Sequence, residues 1–167
     1  MQTIRFNDLE GLRIAAEMEK RGEAFYRRAA RISKNREAVA LLNGLAEEEA
    51  LHAAEFERLG SLALGARDEE ETLSYYDEEV SAYLSAVAAE VVFSGGLMDL
   101  GKNQGFNSPE AILEAAIDSE KDSILFYTEM IANARDEAAR TAFSEIVRQE
   151  KNHLSRLKRL LIGLIAG

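Results

Sequence analysis

The 167-residue chain contains no cysteine. That excludes disulfides, a zinc ribbon, a cysteine-ligated iron–sulfur site and a thiol nucleophile together. It has a single proline, Pro109, against abundant Ala, Leu, Glu and Arg, the composition of long helices. Basic residues are in deficit: 20 Lys and Arg face 30 Asp and Glu, a net charge of −10, which argues against a nucleic-acid or anionic-membrane surface. Long apolar runs are missing too. Met1 to Phe6 has no apolar core of signal-peptide length, and Leu160 to Gly167 is far too short to span a bilayer. A chain of this length forms one domain and buries a core without covalent staples. The expectation is an acidic, cytoplasmic helical protein.

What is present is best read from Glu49-Ala50-Leu51-His52. A Glu and a His three apart on a helix project from one face, about a turn from each other, where a carboxylate oxygen and an imidazole nitrogen can share one cation. The stretch lies within an apolar stripe of Val39, Leu42, Leu45, Ala46, Phe56 and Leu59. A carboxylate aimed at hydrocarbon is costly unless something compensates it. One Glu-x-x-His is weak evidence in a chain so rich in Glu.

Taken in order, a first helix is predicted over about 8–32, with Asn7 as N-cap, Glu10 at the third helical position and an inward face of Leu12, Ala16, Glu19, Gly22, Tyr26 and Ala30. After the polar break Ser33-Lys34-Asn35, a second runs over about 36–59, with Gly60 as its stop. So short a connection makes the two antiparallel neighbours. Residues 60–107 are expected to be a crossover, with solvated acidic runs at Asp68 to Glu71 and Asp77 to Glu79. It holds a short helix between Tyr83 and Phe93, then breaks at Gly95, Gly96, Gly101 and Gly105. Such a segment suits travel along a bundle, roughly 35–40 Å. A third long helix opens at Ser108-Pro109-Glu110 and covers about 109–132, with Ile112, Ala116, Glu120, Ser123, Tyr127 and Ile131 inward. A fourth, over about 137–163, carries Phe143, Ile146, Val147, Glu150, His153, Leu157 and Leu160 on one stripe. Met18, Met98 and Met130 read as packing residues.

The two halves repeat. Glu19-Lys20 with Phe25-Tyr26 recurs as Glu120-Lys121 with Phe126-Tyr127, and Glu49-x-x-His52 as Glu150-x-x-His153. The differences 120 − 19, 127 − 26, 150 − 49 and 153 − 52 all equal 101, and both histidines of the chain belong to the pattern. Thirty residues separate Glu19 from Glu49 and Glu120 from Glu150, one hairpin out and back, so each pair can lie at one height. Related by a pseudo-twofold, the halves bring four carboxylates and two imidazoles together. Like charges that close cannot all stay ionised unaided. Two divalent cations would balance the four carboxylates.

The constellation resembles the ferritin-like di-iron carboxylate proteins, and within them the Glu-Lys and Phe-Tyr segments resemble rubrerythrin-type domains. In ferritin-like bundles a Glu from each of two helices joins a Glu-x-x-His from each of the other two, which is the pattern here. The resemblance implies an all-α, ferritin-like four-helix bundle: two antiparallel hairpins joined by one long crossover. It implies Glu49 and Glu150 bridging two iron ions, Glu19 and Glu120 as terminal ligands, and one nitrogen each from His52 and His153. Carboxylates with one imidazole per metal also suit manganese or zinc. Tyr26 and Tyr127 are implied as hydrogen-bond donors or electron relays beside the site. Two departures stand out. Without cysteine there is no rubredoxin-type iron in this chain, so a separate electron-donor protein is expected. The extra Glu ligand of rubrerythrins, one turn beyond Glu120, is replaced by Ser123, with Gly22 its counterpart. These small residues either leave room for an exogenous ligand or let helices pack closely.

The implied activity is reduction of hydrogen peroxide, or dioxygen, by a homodimeric enzyme. The alternative is a ferroxidase or iron-storage protein, although the sequence offers no fifth helix after the fourth. A metal-free interaction bundle is the third reading.

Overall fold

Asn7 starts the first helix, α1 (Asp8–Ile32), by accepting the Glu10 amide on its side-chain oxygen at 2.9 Å. In the computed structural model, which describes residues 6–65, 76–88 and 108–167, every long helix opens on such a cap. Asn35 accepts from the Ala38 amide at 2.9 Å and begins α2 (Arg36–Gly65). Ser108 accepts from Ala111 at 3.2 Å, with Pro109 at the first position of α4 (Pro109–Asn133). Asp136 accepts from Ala138 and Ala139 at 2.7 and 3.1 Å and begins α5 (Glu137–Ala166). The short α3 (Glu78–Ala88) lies between the two pairs. Asn7 with Ser108, and Asn35 with Asp136, are again 101 apart, so the repeat fixes where helices begin as well as what they carry.

Three boundaries differ from expectation. α2 passes through Gly60 and ends at Gly65. One interior glycine costs a helix only about 1 kcal/mol, no proline follows within the next turns, and Ser61-Leu62-Ala63-Leu64 continues the helix. α5 likewise ignores Gly163 and reaches Ala166 rather than 163. The crossover helix starts at Glu78 rather than Tyr83, because Asp77 caps it: its carboxylate accepts from the Glu79 amide at 2.8 Å. The acidic run Asp77 to Glu79 is solvent-exposed, as expected of it, and is also a helix start. The other acidic run, the four expected glycine breaks, Met98 and the end of the expected short helix lie outside the described residues.

α1 packs chiefly on α2, and α4 on α5; the two hairpins meet through α2 against α5 and α1 against α4, and α3 lies on α4. The apolar core is split into two clusters. One gathers Leu12, Met18, Phe56, Phe126, Tyr127, Met130, Phe143 and Ile146 with Phe6, Tyr76 and Leu84. The other gathers Phe25, Tyr26, Leu42, Leu45, Ile112, Leu113, Leu157 and Leu160. Each long helix runs from one cluster to the other, and the residues between are the polar ones: Glu19, Glu49 with His52, Glu120, and Glu150 with His153. The fold thus holds a polar layer between two hydrocarbon plugs.

α1 approaches α4 closely at Gly11, where a Cβ would run into the Met130 methyl group. At one end of the bundle the buried Asp8 carboxylate receives the Tyr76 hydroxyl and the backbone amides of Arg135 and Asp136, joining α1, the start of α3 and the α4–α5 turn. Among the described residues no helix is long and apolar enough to cross a membrane.

Candidate metal centre

The four glutamates and two histidines are brought together, and none is more than 3 % exposed. Their ligand atoms form two overlapping groups: Glu19, Glu49, His52 and Glu150 in one, Glu49, Glu120, Glu150 and His153 in the other. Glu49 and Glu150 belong to both. The two imidazoles lie nearly parallel, ring centroids 5.6 Å apart, one on each side of the shared carboxylates.

His52 Nδ1 lies 3.2 Å from Glu19 Oε2, 3.2 Å from Glu49 Oε2 and 3.0 Å from Glu150 Oε1. One N–H serves one of these oxygens well, never all three. His153 Nδ1 faces Glu49, Glu120 and Glu150 at 3.4–3.6 Å. Among the described residues the buried side-chain atoms left without a well-aligned hydrogen bond are Glu120 Oε2, Glu150 Oε1 and His153 Nδ1, all in this cluster. Buried lone pairs are rarely left so. Oxygens and nitrogens converging with too few protons among them are what a pair of divalent cations fits, and carboxylate-rich sets with one imidazole per metal suit iron, manganese or zinc.

Without a cation, protons hold the cluster together. Burial, reinforced by the charges of Glu49 and Glu150, pushes the Glu19 carboxyl well above the usual carboxylate range. Burial and Glu150 do the same to Glu120. At Glu49 burial also opposes the charge, yet hydrogen bonds from Glu19, His153 and His52 outweigh it and its pKa falls. Glu150 falls likewise: burial is overcome by hydrogen bonds from Glu120, His153 and His52. Burial lowers both imidazoles, but hydrogen bonds to the carboxylates, Glu150 foremost at His52 and Glu120 foremost at His153, raise them far above the ordinary histidine value. Two neutral carboxyls, two carboxylates and two imidazolium ions sum to zero, as four carboxylates, two neutral imidazoles and two divalent cations do.

The tyrosines connect the halves crosswise. Tyr26 on α1 donates its hydroxyl to Glu120 Oε1 on α4, and Tyr127 on α4 donates to Glu19 Oε1 on α1. Burial, with the charge of the accepting glutamate next, raises both phenols, so each keeps its proton. Tyr127 belongs to one apolar cluster, against Phe56 and Phe143 at centroid distances of 5.5 and 5.9 Å, and Tyr26 to the other, against Phe25 at 5.3 Å. The polar layer is closed by one phenol from each side.

The outward nitrogens of the histidines are also held across the halves. His153 Nε2 lies 2.8 Å from Glu48 Oε2 on α2, whose other oxygen accepts from Arg156 at 2.7 Å. His52 Nε2 lies 2.9 Å from Gln149 Oε1 on α5, whose amide group donates to Glu145 at 3.2 Å. Sequence reasoning missed Glu48 and Gln149. The signal was there, since 149 − 48 is again 101 and each directly precedes a shared glutamate.

Gly22 and Ser123 face the site across α1 and α4. A Cβ at Gly22 would stand 3.4 Å from Glu49 Cγ, so this glycine lets the shared carboxylate approach α1. Beside it a cavity of about 10 Å³, lined by Met18, Gly22, Tyr26, Ser119 and Ser123, reaches all four glutamates. That is about the room one water centre needs. Both readings of the small residues, close packing and space for a small ligand, describe this seam.

The family model for rubrerythrin matches residues 10–161. Among solved structures, the chain is similar to one described as a ferritin-like diiron-carboxylate protein from Thermotoga maritima, with TM-score 0.68 and 23% identity over 96% of this chain and 97% of that one. At that identity the likeness is one of fold. No curated protein matches in sequence.

Proposed function

The chain belongs to the rubrerythrin family, and from that premise we propose that it is a di-iron oxidoreductase reducing hydrogen peroxide, or dioxygen, with electrons from a separate donor protein. The observation that carries this reading is the pair of buried ligand groups sharing Glu49 and Glu150, six side chains with no other evident use for so much buried charge. Two ferrous ions, if held there, would supply the two electrons that, with two protons, are needed to convert one hydrogen peroxide into two waters.

The protein's own residues do the rest. Glu49 and Glu150 hold the two positions together; Glu19 with His52 and Glu120 with His153 complete them. The protonated Tyr26 and Tyr127 fix the orientation of Glu120 and Glu19 and offer the nearest hydroxyl protons to the layer. The cavity at Gly22, Ser119 and Ser123 is too small for an organic substrate, and the apolar clusters on either side keep bulk water out. Since the chain has no cysteine to hold a four-sulfur iron, re-reduction is assigned to another molecule. We take the working unit to be a homodimer.

The test is anaerobic loading with two equivalents of ferrous iron per chain. The sample is then divided between peroxide and air while the near-ultraviolet band of an oxidised, oxygen-bridged iron pair is followed. Rapid oxidation by peroxide with slow oxidation by air is expected. Fast oxidation by air, with ferrous iron consumed well beyond the loaded amount, would replace this reading with a ferroxidase. Absence of the band with either oxidant would remove iron from the proposal.

A further inference from the structure

The six inner side chains repeat residue for residue between the halves, so the inner ligand sets give no reason for the two cation positions to differ. The residues behind the histidines do differ. His153 rests on a carboxylate, Glu48, at 2.8 Å; His52 rests on an amide, Gln149, at 2.9 Å. Glu48 and Gln149 occupy equivalent places in the repeat, both reaching across from the opposite half. We infer that the two cation positions are unequal, and that Glu48 makes the one served by His153 fill first and hold its metal more tightly. The inference rests on the metal-binding reading of the site proposed above.

The physical argument concerns the ring. With Nε2–H committed to its outward partner, each imidazole offers Nδ1 to the cluster, and a cation there draws electron density from the ring. The ring's growing positive charge strengthens the outward hydrogen bond. A carboxylate acceptor answers with a charge-assisted bond roughly twice as strong as a neutral one. Gln149 can answer only with an amide dipole. Its orientation is fixed, because its NH2 donates to Glu145, so the carbonyl oxygen is the atom left for His52.

Two features moderate the difference without reversing it. Arg156 binds the second oxygen of Glu48 and shares its charge, and Glu48 is about one third exposed, where water screens it. On the other side, the amide of Gln149 is itself bonded to Glu145, which is exposed and held by Arg148 at 2.5 Å. So an anion touches the imidazole directly at His153 and only through an amide at His52. Removing an outward partner of a metal-bound histidine typically costs 10–100-fold in affinity. Exchanging a carboxylate for an amide retains the hydrogen bond, so the lower end, about tenfold, is the expected difference.

The test uses cobalt(II) alone, titrated into the metal-free full chain at fixed pH and followed by visible absorption and calorimetry. Repulsion between two cations separates the two binding steps in every variant alike, so the spacing between steps is compared across variants. Wild type should show two steps about threefold further apart than either Glu48→Gln or Gln149→Glu, because each change makes the two outward partners chemically alike. A difference of about tenfold between sites widens the statistical spacing of two alike sites by about threefold. The direction differs: E48Q should weaken the first step, and Q149E should tighten the second. Equal spacing in all three proteins, or E48Q acting on the second step, would overturn the inequality while leaving a two-metal site intact. Failure of wild type to take up two cobalt ions per chain would overturn the metal-binding reading, and the inequality with it.

Discussion

Tyr127 donates its phenolic proton to Glu19, a residue of the opposite hairpin, and the pair lies at the border between the polar layer and an apolar cluster. Tyr26 repeats the contact on Glu120. Replacing Tyr127 by Phe leaves a buried carboxyl oxygen without its donor, which costs about 1–3 kcal/mol. The expected result is a lower unfolding temperature in the metal-free protein and a smaller loss when metal is bound, because the cation then holds Glu19. Thermal unfolding of Y127F with and without metal measures both; equal losses would mean the hydroxyl serves the fold alone.

Glu49 and Glu150 stand in both ligand groups, Glu19 and Glu120 in one each. Glu49→Gln is therefore expected to lower the affinity of both positions, and Glu19→Gln chiefly that of one. Elemental analysis after equilibration with limiting free metal should give about one ion per chain for E19Q and well below one for E49Q. Identical stoichiometries would contradict the shared role.

The proton arrangement gives the metal-free and loaded proteins opposite responses to pH. Glu19 and Glu120 are raised above the unfolded value of 4.5, and His52 and His153 above 6.5. Groups with raised folded pKa values stabilise the fold below the unfolded value and lose that contribution as pH rises. The lowered Glu49 and Glu150 do the reverse, contributing above 4.5 and losing it in acid. The metal-free protein should thus lose stability above about pH 5, and further above 6.5. Metal binding must displace protons from two carboxyls and two imidazolium ions, so it strengthens over the same range. The gain in unfolding temperature on loading should widen from pH 6 to pH 8; a gap that narrows would refute the assignment.

Asp8 offers a contrast, because its network lies away from the metal positions. Asp8→Ala removes the acceptor for Tyr76 and for the amides of Arg135 and Asp136. A loss of about 2–4 kcal/mol in unfolding free energy is expected, with buried donors left unpaired. Metal stoichiometry at 20 °C should be unchanged, which denaturant titration and elemental analysis check together.

The four long helices were legible from their polar breaks and apolar periodicity, and the six clustered residues because one spacing, 101, recurs in glutamates, tyrosines and histidines alike. The parts that were not legible depend on how the hairpins meet. Tyr26 is two turns from Glu19 on its own helix, about 10 Å along the axis, too far for its hydroxyl, so the acceptor had to come from across the bundle. Glu47, Glu48 and Glu49 are consecutive; the apolar stripe marks Glu49 as inward, but only the rotation of α2 against α5 decides that Glu48 reaches His153. The run of α2 past Gly60 was hidden for a different reason: a glycine signals a helix end only when the residues after it cannot continue the helix.

The difference between Glu48 and Gln149 also bears on why the two hairpins are one polypeptide. Were each hairpin a separate, identical chain pairing about a true twofold, every position would be duplicated by the genetic code, and both histidines would have to rest on the same residue. Joining the copies through a tether frees the two versions of each position to diverge. The tether supplies none of the six clustered side chains and neither of their tyrosine donors. Its contribution to the chemistry is permission: it lets the two half-sites differ while the scaffold around them stays repeated.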